Sequence, residues 1–290
     1  MRMDLNIYEV GPRDGLQNSK FSLTTEEKTR MVDELYHAGL KNIEIASFVN
    51  PKKVPNMADA EEIFESTRHL GDFDVLIPNS RGLDRAKAVG AKKFNVFFSH
   101  SDEFNMRNLG KGLEDVFAEQ KYMLEDENKE NIRAYLSCAF GCPIQGSPKE
   151  HKLLDAIKKA DEIAGTVVLC DTIGAAHPTK MLQTLQLTKG IEAEVALHLH
   201  ERKIGGNPIF GNVGAAVAWG VTNFDASIAG LGGCPFIPNS GSNLSTNALI
   251  HWANNRGYET GIELNDLLSV TSWLLNKKNH YEDLPPELIV

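Results

Sequence analysis

Short runs of apolar and β-branched residues recur along this chain, each closed by polar residues or glycine and followed by apolar residues at helical spacing. The pattern predicts eight strands, near Leu5–Val10, Asn42–Ser47, Asp74–Ile77, Lys93–Phe98, Arg133–Ser137, Val167–Cys170, Val195–Leu199 and Asn223–Ile228. A helix is predicted after each. The first is the best marked: Thr24 and Glu27 are spaced as a capping box, Met31, Val32 and Leu35 share one face, and Gly39 stops it. The others fall near Ala58–Thr67, Leu83–Val89, Gly112–Leu124, Lys149–Ile163, Pro178–Leu187, Asn212–Trp219 and Asn243–Ala253. One more, about Leu264–Leu275, follows the eighth unit, and the Pro-containing tail after about residue 277 reads as loosely ordered.

Strands that alternate with helices imply a parallel sheet, and eight such units imply closure. The expected fold is therefore an α/β (β/α)8 TIM barrel with an additional C-terminal helix; a doubly wound open sheet is the alternative. No Pro/Ser-rich linker or shift in composition divides residues 1–290, so a single catalytic domain is expected.

Composition narrows the partners. Hydrophobic content of 42% and charged content of 24% are globular values. A net charge of −9 argues against a nucleic-acid partner, which needs a basic face. No apolar run approaches the roughly 20 residues needed to span a bilayer, and the first residues lack signal-peptide character, so no membrane partner and a cytoplasmic location are expected. Cys138, Cys142, Cys170 and Cys234 lack zinc-ribbon spacing and are too few for a disulfide scaffold; reduced thiols are the simplest reading.

In a barrel the chemistry sits where strands end at their C-terminal side, and reactive residues gather there unit after unit. Strand 1 runs into Arg13, Asp14 and Gln17, strand 2 carries Glu44 and Ser47, and strand 3 ends at Asn79. Strand 6 ends at Asp171, strand 7 at His198 and His200, and strand 8 leads to a Gly-rich loop with Cys234, then Asn243. Residues i and i+2 of a strand point the same way, so His198 and His200 form either half of a metal site or a pair of strand-end hydrogen bonds. With Asp14 and a side-chain oxygen such as that of Asn243, the set suits Mg²⁺ or Mn²⁺, with zinc also open. Arg13 beside such a carboxylate either meets an anionic oxygen or forms a salt bridge to Glu44 or Asp171. Cys234 is either a thiol carried on a mobile lid or a cysteine in an ordinary turn. A metal and a cation around one cavity fit enolate chemistry next to a carbonyl.

Over about residues 5–276 the sequence resembles the 3-hydroxy-3-methylglutaryl-CoA lyase family of metal-dependent TIM-barrel lyases. The resemblance is carried by Glu9-Val-Gly-Pro-Arg-Asp-Gly-Leu-Gln-Asn18, the stretch from Ser47 to Asp59, Pro78-Asn79, Ser137-Cys138-x-x-Gly-Cys-Pro143, Asp171-Thr-Ile-Gly174, His198-x-His200 and Gly230-Leu-Gly-Gly-Cys-Pro235. It implies cleavage of 3-hydroxy-3-methylglutaryl-CoA to acetyl-CoA and acetoacetate, an acyl-CoA substrate and a homodimer. It further implies Asp14, His198, His200 and Asn243 as metal ligands, Arg13 as the group that stabilises the enolate oxygen, and Asp14 or His198 as the acceptor of the hydroxyl proton. Cys234 would be a proton donor or lid residue, and Glu44 and Asp171 would support Arg13 and the substrate. Gln17, Ser47 and Asn79 would bind substrate, with Lys20, Lys52 and Lys53 near the coenzyme A entrance.

The departures cluster. After His200 the chain reads Glu201-Arg-Lys-Ile-Gly-Gly-Asn207 where the family usually has Asp-Thr-Tyr-Gly-Gln. Phe236-Ile-Pro-Asn239 follows the Cys234 motif in place of the usual Tyr-Ala and polar residues, and Thr246-Asn247-Ala248 replaces Thr-Glu-Asp. Three other readings stay open on these grounds: a related lyase for another 3-hydroxyacyl-CoA, a condensing enzyme like the isopropylmalate or homocitrate synthases, and a catalytically silent barrel with a binding role.

Overall fold

Eight parallel strands close on themselves in chain order: β1 (Asn6–Glu9), β2 (Asn42–Ser47), β3 (Asp74–Leu76), β4 (Lys93–Ser99), β5 (Ile132–Ser137), β6 (Thr166–Cys170), β7 (Glu194–His198) and β8 (Asn223–Ala226), with β8 returning to pair with β1. The structure, a computed structural model, describes residues 4–19, 21–202, 208–233 and 242–282. The barrel and the helices between its strands are the expected architecture.

The helices are α1 (Thr25–His37), α2 (Ala60–Thr67), α3 (Ser80–Ala88), α4 (Asp102–Leu109), α5 (Leu113–Met123), α6 (Glu150–Ile163), α7 (Pro178–Gln186), α8 (Ile209–Trp219), α9 (Thr246–Asn254) and α10 (Leu264–Glu282). On α1 the capping box is present in full: the Thr24 side chain accepts from the Glu27 amide, and the Glu27 carboxylate accepts from the Thr24 amide. Met31, Val32 and Leu35 on its inner face join the large core that also takes Ile43 and Ile45 of β2.

Side-chain alternation divides each strand between two environments. Val167 and Leu169 of β6 belong to the large core under the helices, whereas Val168 and Cys170 pack with Tyr135 and Ala196 in a smaller cluster. The barrel interior also carries paired polar side chains. Asn95 of β4 donates to both the Tyr8 hydroxyl of β1 (2.9 Å) and Glu44 of β2 (2.7 Å), and Arg133 of β5 reaches Asp225 of β8 (2.6 Å).

Several boundaries differ from expectation, each for a local reason. An extra helix, α4, opens unit four because the Ser101 side chain accepts from the Phe104 amide and caps it. α3 starts earlier because the Asn79 side chain accepts from the Gly82 amide. α8 starts at Ile209 rather than near Asn212. α9 starts at Thr246, capped by Ser245, which leaves Asn243 in extended chain before it. α10 continues to Glu282, past the expected loosening near 277. Lys20, Cys234, the Phe236–Asn239 stretch, most of the divergent loop after His200 and the extreme tail lie outside the described residues.

Candidate metal centre

Strand 1 ends in a wide helical turn, Gly11–Gly15, that carries Arg13 and Asp14 onto the barrel rim. Glu9 holds that turn in place: its Oε1 accepts from the amides of Gly11 and Ile228 (both 2.8 Å), and its Oε2 accepts from the Thr246 hydroxyl (2.6 Å). One buried carboxylate thus joins the ends of β1 and β8 and the start of α9. Burial outweighs these hydrogen bonds and pushes the Glu9 carboxyl up to about 7.

Across the rim, β7 ends at His198, and His200 follows two residues later on the same side. The two imidazole centroids lie 4.9 Å apart. His198 Nδ1 donates to Asp225 Oδ2 (3.3 Å), and His200 Nδ1 donates to the Asp171 carbonyl (3.0 Å). These bonds select the tautomer in which Nε2 of both rings is left as the nitrogen able to take a ligand. His198 Nε2 faces Asp14 Oδ2 at 4.0 Å, and Asp14, His198 and His200 offer ligand atoms that all lie within 4.8 Å of one another.

Asn243 joins Asp14 by a tertiary contact. It bridges antiparallel to His200, and its Nδ2 donates to Asp14 Oδ2 and to the Leu231 carbonyl, both at 2.8 Å. With the amide nitrogen so held, Asn243 Oδ1 is buried without a hydrogen-bond partner. An orphaned buried acceptor costs roughly 1–3 kcal/mol, a cost that a cation removes. Two imidazole nitrogens, a carboxylate and this amide oxygen make a mixed N/O set without thiolate, which fits a hard or borderline divalent ion.

Arg13 sits beside this set, buried. Its Nε donates to Glu44 Oε2 (2.5 Å) and its Nη1 to Asp14 Oδ1 (2.7 Å). Burial works against ionisation of Asp14, but the Arg13 guanidinium, aided by the histidines and the Asn243 amide, overrides it and holds the carboxyl at about 2. For Glu44 the balance goes the other way: burial raises its carboxyl despite Arg13 and Asn95. Burial would lower the His198 imidazole, yet Asp225 and Asp14 raise it; burial brings His200 down to about 4.

Arg13, Asp14, Gln17 and His198 line a cavity of about 200 Å³ whose remaining walls include Phe97, Tyr135 and Ser137. Val49 and Phe97 also line a larger groove of about 580 Å³, together with Lys53, Asn79 and Lys111 among others. Lys52 lies exposed beside it in sequence.

Two expectations change. Asp171 does not spend its carboxylate on Arg13: Oδ1 and Oδ2 accept from the amides of Ala175 (2.7 Å) and Ala176 (3.0 Å), shaping the turn after β6 while the backbone carbonyl holds His200. Asn79 uses its side-chain oxygen to cap α3, and lines the outer groove rather than the inner cavity. Ser47, fully buried at the end of β2, pairs in register with Leu76, a cavity residue, and its hydroxyl lacks a partner. Asp225, Asn95 and Glu9 were not singled out as site residues. The available signal was a charged or amide side chain inside an otherwise apolar strand, a placement tolerated only when paired.

The HMGL-like family matches residues 4–274. The chain is 35% identical over 280 residues to a hydroxymethylglutaryl-CoA lyase of Bacillus subtilis, covering 94% of this chain and 93% of that protein. It is 36% identical over 282 residues to the mitochondrial hydroxymethylglutaryl-CoA lyase of Homo sapiens, covering 94% and 86%. The solved structure of an HMG-CoA lyase from Acinetobacter baumannii in complex with coenzyme A and 3-methylmalate superposes with a TM-score of 0.86 at 31% identity, covering 98% of this chain and 97% of that one.

Proposed function

The chain belongs to the HMGL-like family, and from that premise we propose that it is a divalent-metal-dependent carbon–carbon lyase that cleaves 3-hydroxy-3-methylglutaryl-CoA to acetyl-CoA and acetoacetate. The observation that carries the reading is the gathering of Asp14, His198 and His200 beside a buried guanidinium, with Asn243 hydrogen-bonded to Asp14 and its own oxygen unpartnered.

Asp14, His198, His200 and Asn243 are the residues that would hold Mg²⁺ or Mn²⁺. Such an ion supplies Lewis acidity toward oxygen atoms of the substrate. The chain supplies the rest. Removing the proton from the tertiary hydroxyl turns that carbon into the ketone of acetoacetate as the adjacent carbon–carbon bond breaks. The electron pair leaves as the enolate of acetyl-CoA, and protonation at carbon completes the product. Of the two candidates for the hydroxyl proton, His198 has Nδ1 given to Asp225 and Nε2 turned to the ligand side, so we assign the proton to the Asp14 carboxylate. Arg13 has Nε and Nη1 engaged by Glu44 and Asp14, which leaves Nη2 for the enolate oxygen as its charge develops. Glu44, itself held by Asn95, keeps the guanidinium plane fixed.

Gln17, on the inner cavity, serves the acyl end, with Ser47 behind the wall at Leu76, while the outer groove with Lys53 and Lys111 suits the anionic coenzyme A portion. Cys234 and Lys20 keep the roles that the family resemblance gives them. No helix among the described residues is long and apolar enough to cross a membrane; a cytoplasmic homodimer acting through one catalytic domain is the arrangement this reading favours.

A coupled assay with Mg²⁺ or Mn²⁺ against a panel of 3-hydroxyacyl-CoA esters tests the proposal. Turnover of 3-hydroxy-3-methylglutaryl-CoA above the other esters is expected. Turnover of another ester with none of this one refutes the substrate, and no metal-dependent turnover of any ester refutes the chemistry.

A further inference from the structure

His198 is not held by Asp225 alone. The Asp225 carboxylate, 1% exposed on β8, has both oxygens committed: Oδ2 accepts from His198 Nδ1 at 3.3 Å, and Oδ1 accepts from Arg133 Nη2 at 2.6 Å. The strand register makes the first contact, because His198 of β7 and Asp225 of β8 are Cα partners in adjacent parallel strands. The second comes from farther away. Arg133 lies on β5, three strands from β8 around the barrel, and its guanidinium carbon stacks 3.7 Å from the Tyr8 ring centroid. Its side chain is 13% exposed, and among the described residues its Nε has no hydrogen-bond partner while its Nη2 bonds to Asp225.

We propose that Arg133 is a positioning residue for the metal centre, acting through Asp225 to fix the imidazole of His198. The inference rests on the reading of Asp14, His198, His200 and Asn243 as ligands. A carboxylate hydrogen-bonded through one oxygen only can turn about its Cβ–Cγ bond, and the imidazole it holds turns with it. With Arg133 on Oδ1 and its planar face against Tyr8, that rotation is locked, and His198 Nε2 stays aimed at the side where Asp14 lies. Arg133 also lines a floor cavity of about 260 Å³ with Tyr8, Asp74 and Lys93, at the end of the barrel away from the ligands. The metal site is therefore braced from the floor.

A purely structural role, compensation of the buried Asp225 charge, predicts a different outcome. It lowers the melting temperature on substitution but leaves the metal affinity of the folded protein intact. Mn²⁺ titration of the full chain, with free ion counted by electron paramagnetic resonance, separates the two without any turnover measurement. Arg133→Met is expected to weaken Mn²⁺ binding about tenfold, the lower end of the effect seen for groups that orient metal ligands. A folded Arg133→Met protein whose Mn²⁺ affinity matches the parent's overturns the proposal. If that variant does not fold, Arg133→Lys decides: it keeps the charge but not the stacked plane, so affinity below the parent's supports the proposal and equal affinity overturns it. A parent protein that takes up no Mn²⁺ overturns the ligand assignment and this inference together. Binding by the parent with no loss in the variants overturns the inference alone.

Discussion

His200 and Asn243 pair as an antiparallel bridge at the mouth of the barrel, flanked by hydrogen bonds from the Leu244 amide to the Leu199 carbonyl (2.9 Å) and from the Glu201 amide to the Ser242 carbonyl (2.7 Å). This pairing fixes Asn243 next to Asp14 although 229 residues separate them in sequence. The amide is thus held rigidly beside Asp14, anchored through main-chain bonds.

Asn243→Ala removes both the unpartnered oxygen and the tether to Asp14. Isothermal titration with Mn²⁺ is expected to show at least a tenfold loss of affinity, with the far-ultraviolet circular dichroism unchanged. Parent-like affinity in this variant excludes Asn243 from the ligand set.

Arg13→Met is expected to cut turnover by roughly 10³ or more, because it deletes charge stabilisation made in the transition state. It also leaves Glu44 buried beside Asn95 without its cation, so thermal stability falls as well, by about 3–5 kcal/mol for a broken buried pair. The double variant Arg13→Met/Glu44→Gln removes the stranded charge. It is expected to recover most of the stability and none of the turnover. Recovery of turnover in the double variant contradicts the role given to Arg13.

Gly232 adopts φ +90°, and a Cβ there would lie 2.7 Å from Asn243 Nδ2 and 3.0 Å from the Gly15 Cα. Gly232→Ala is therefore strained in its backbone and pushes on the ligand amide and on the turn that carries Asp14. Kinetics should show a turnover loss of about tenfold or more, partly restored by raising Mn²⁺. Normal kinetics at low Mn²⁺ would mean that the loop yields freely and does not set the position of Asn243.

Glu9 gives a pH signature. Its folded carboxyl is raised to about 7 by burial, against 4.5 ordinarily, so the folded state holds the proton more tightly than the unfolded chain. Below about pH 4.5 the group is protonated in both states and makes no difference. As pH rises toward 7 the unfolded chain ionises first, and a cost to folding accumulates to about 3 kcal/mol, then stays constant. Glu9→Gln retains an Oε1 for the Gly11 and Ile228 amides and cannot ionise. Denaturant melts of both proteins between pH 5 and 8 should show the parent losing stability relative to the variant as pH rises. A difference independent of pH rules this out.

How much of this was legible before folding follows from what each residue depends on. The hydrophobic periods predicted the eight strands to within a residue or two, because burial of alternate strand faces and single helix faces is a local constraint. The paired histidines were legible for the same reason: i and i+2 on a strand share a side whatever surrounds them. The cap at Asn79 moved a helix start that periodicity alone misplaced, and the cap at Ser101 opened a helix that it did not predict, since one side-chain hydrogen bond decides an end.

Tertiary structure decided the rest. Nothing in the sequence says that Glu9 reaches Thr246, that Asn243 bonds to Asp14, or that Arg133 braces Asp225 from three strands away. It also gave Asp171 a turn to shape and His200 to hold, where the sequence offered it beside Glu44 as a partner for Arg13. The order of residues determined which side chains arrive at the barrel rim, because period and turn chemistry are written within a few neighbours. Which of them touch is set by strand register and closure of the barrel, properties of the whole ring that exist only once β8 has found β1.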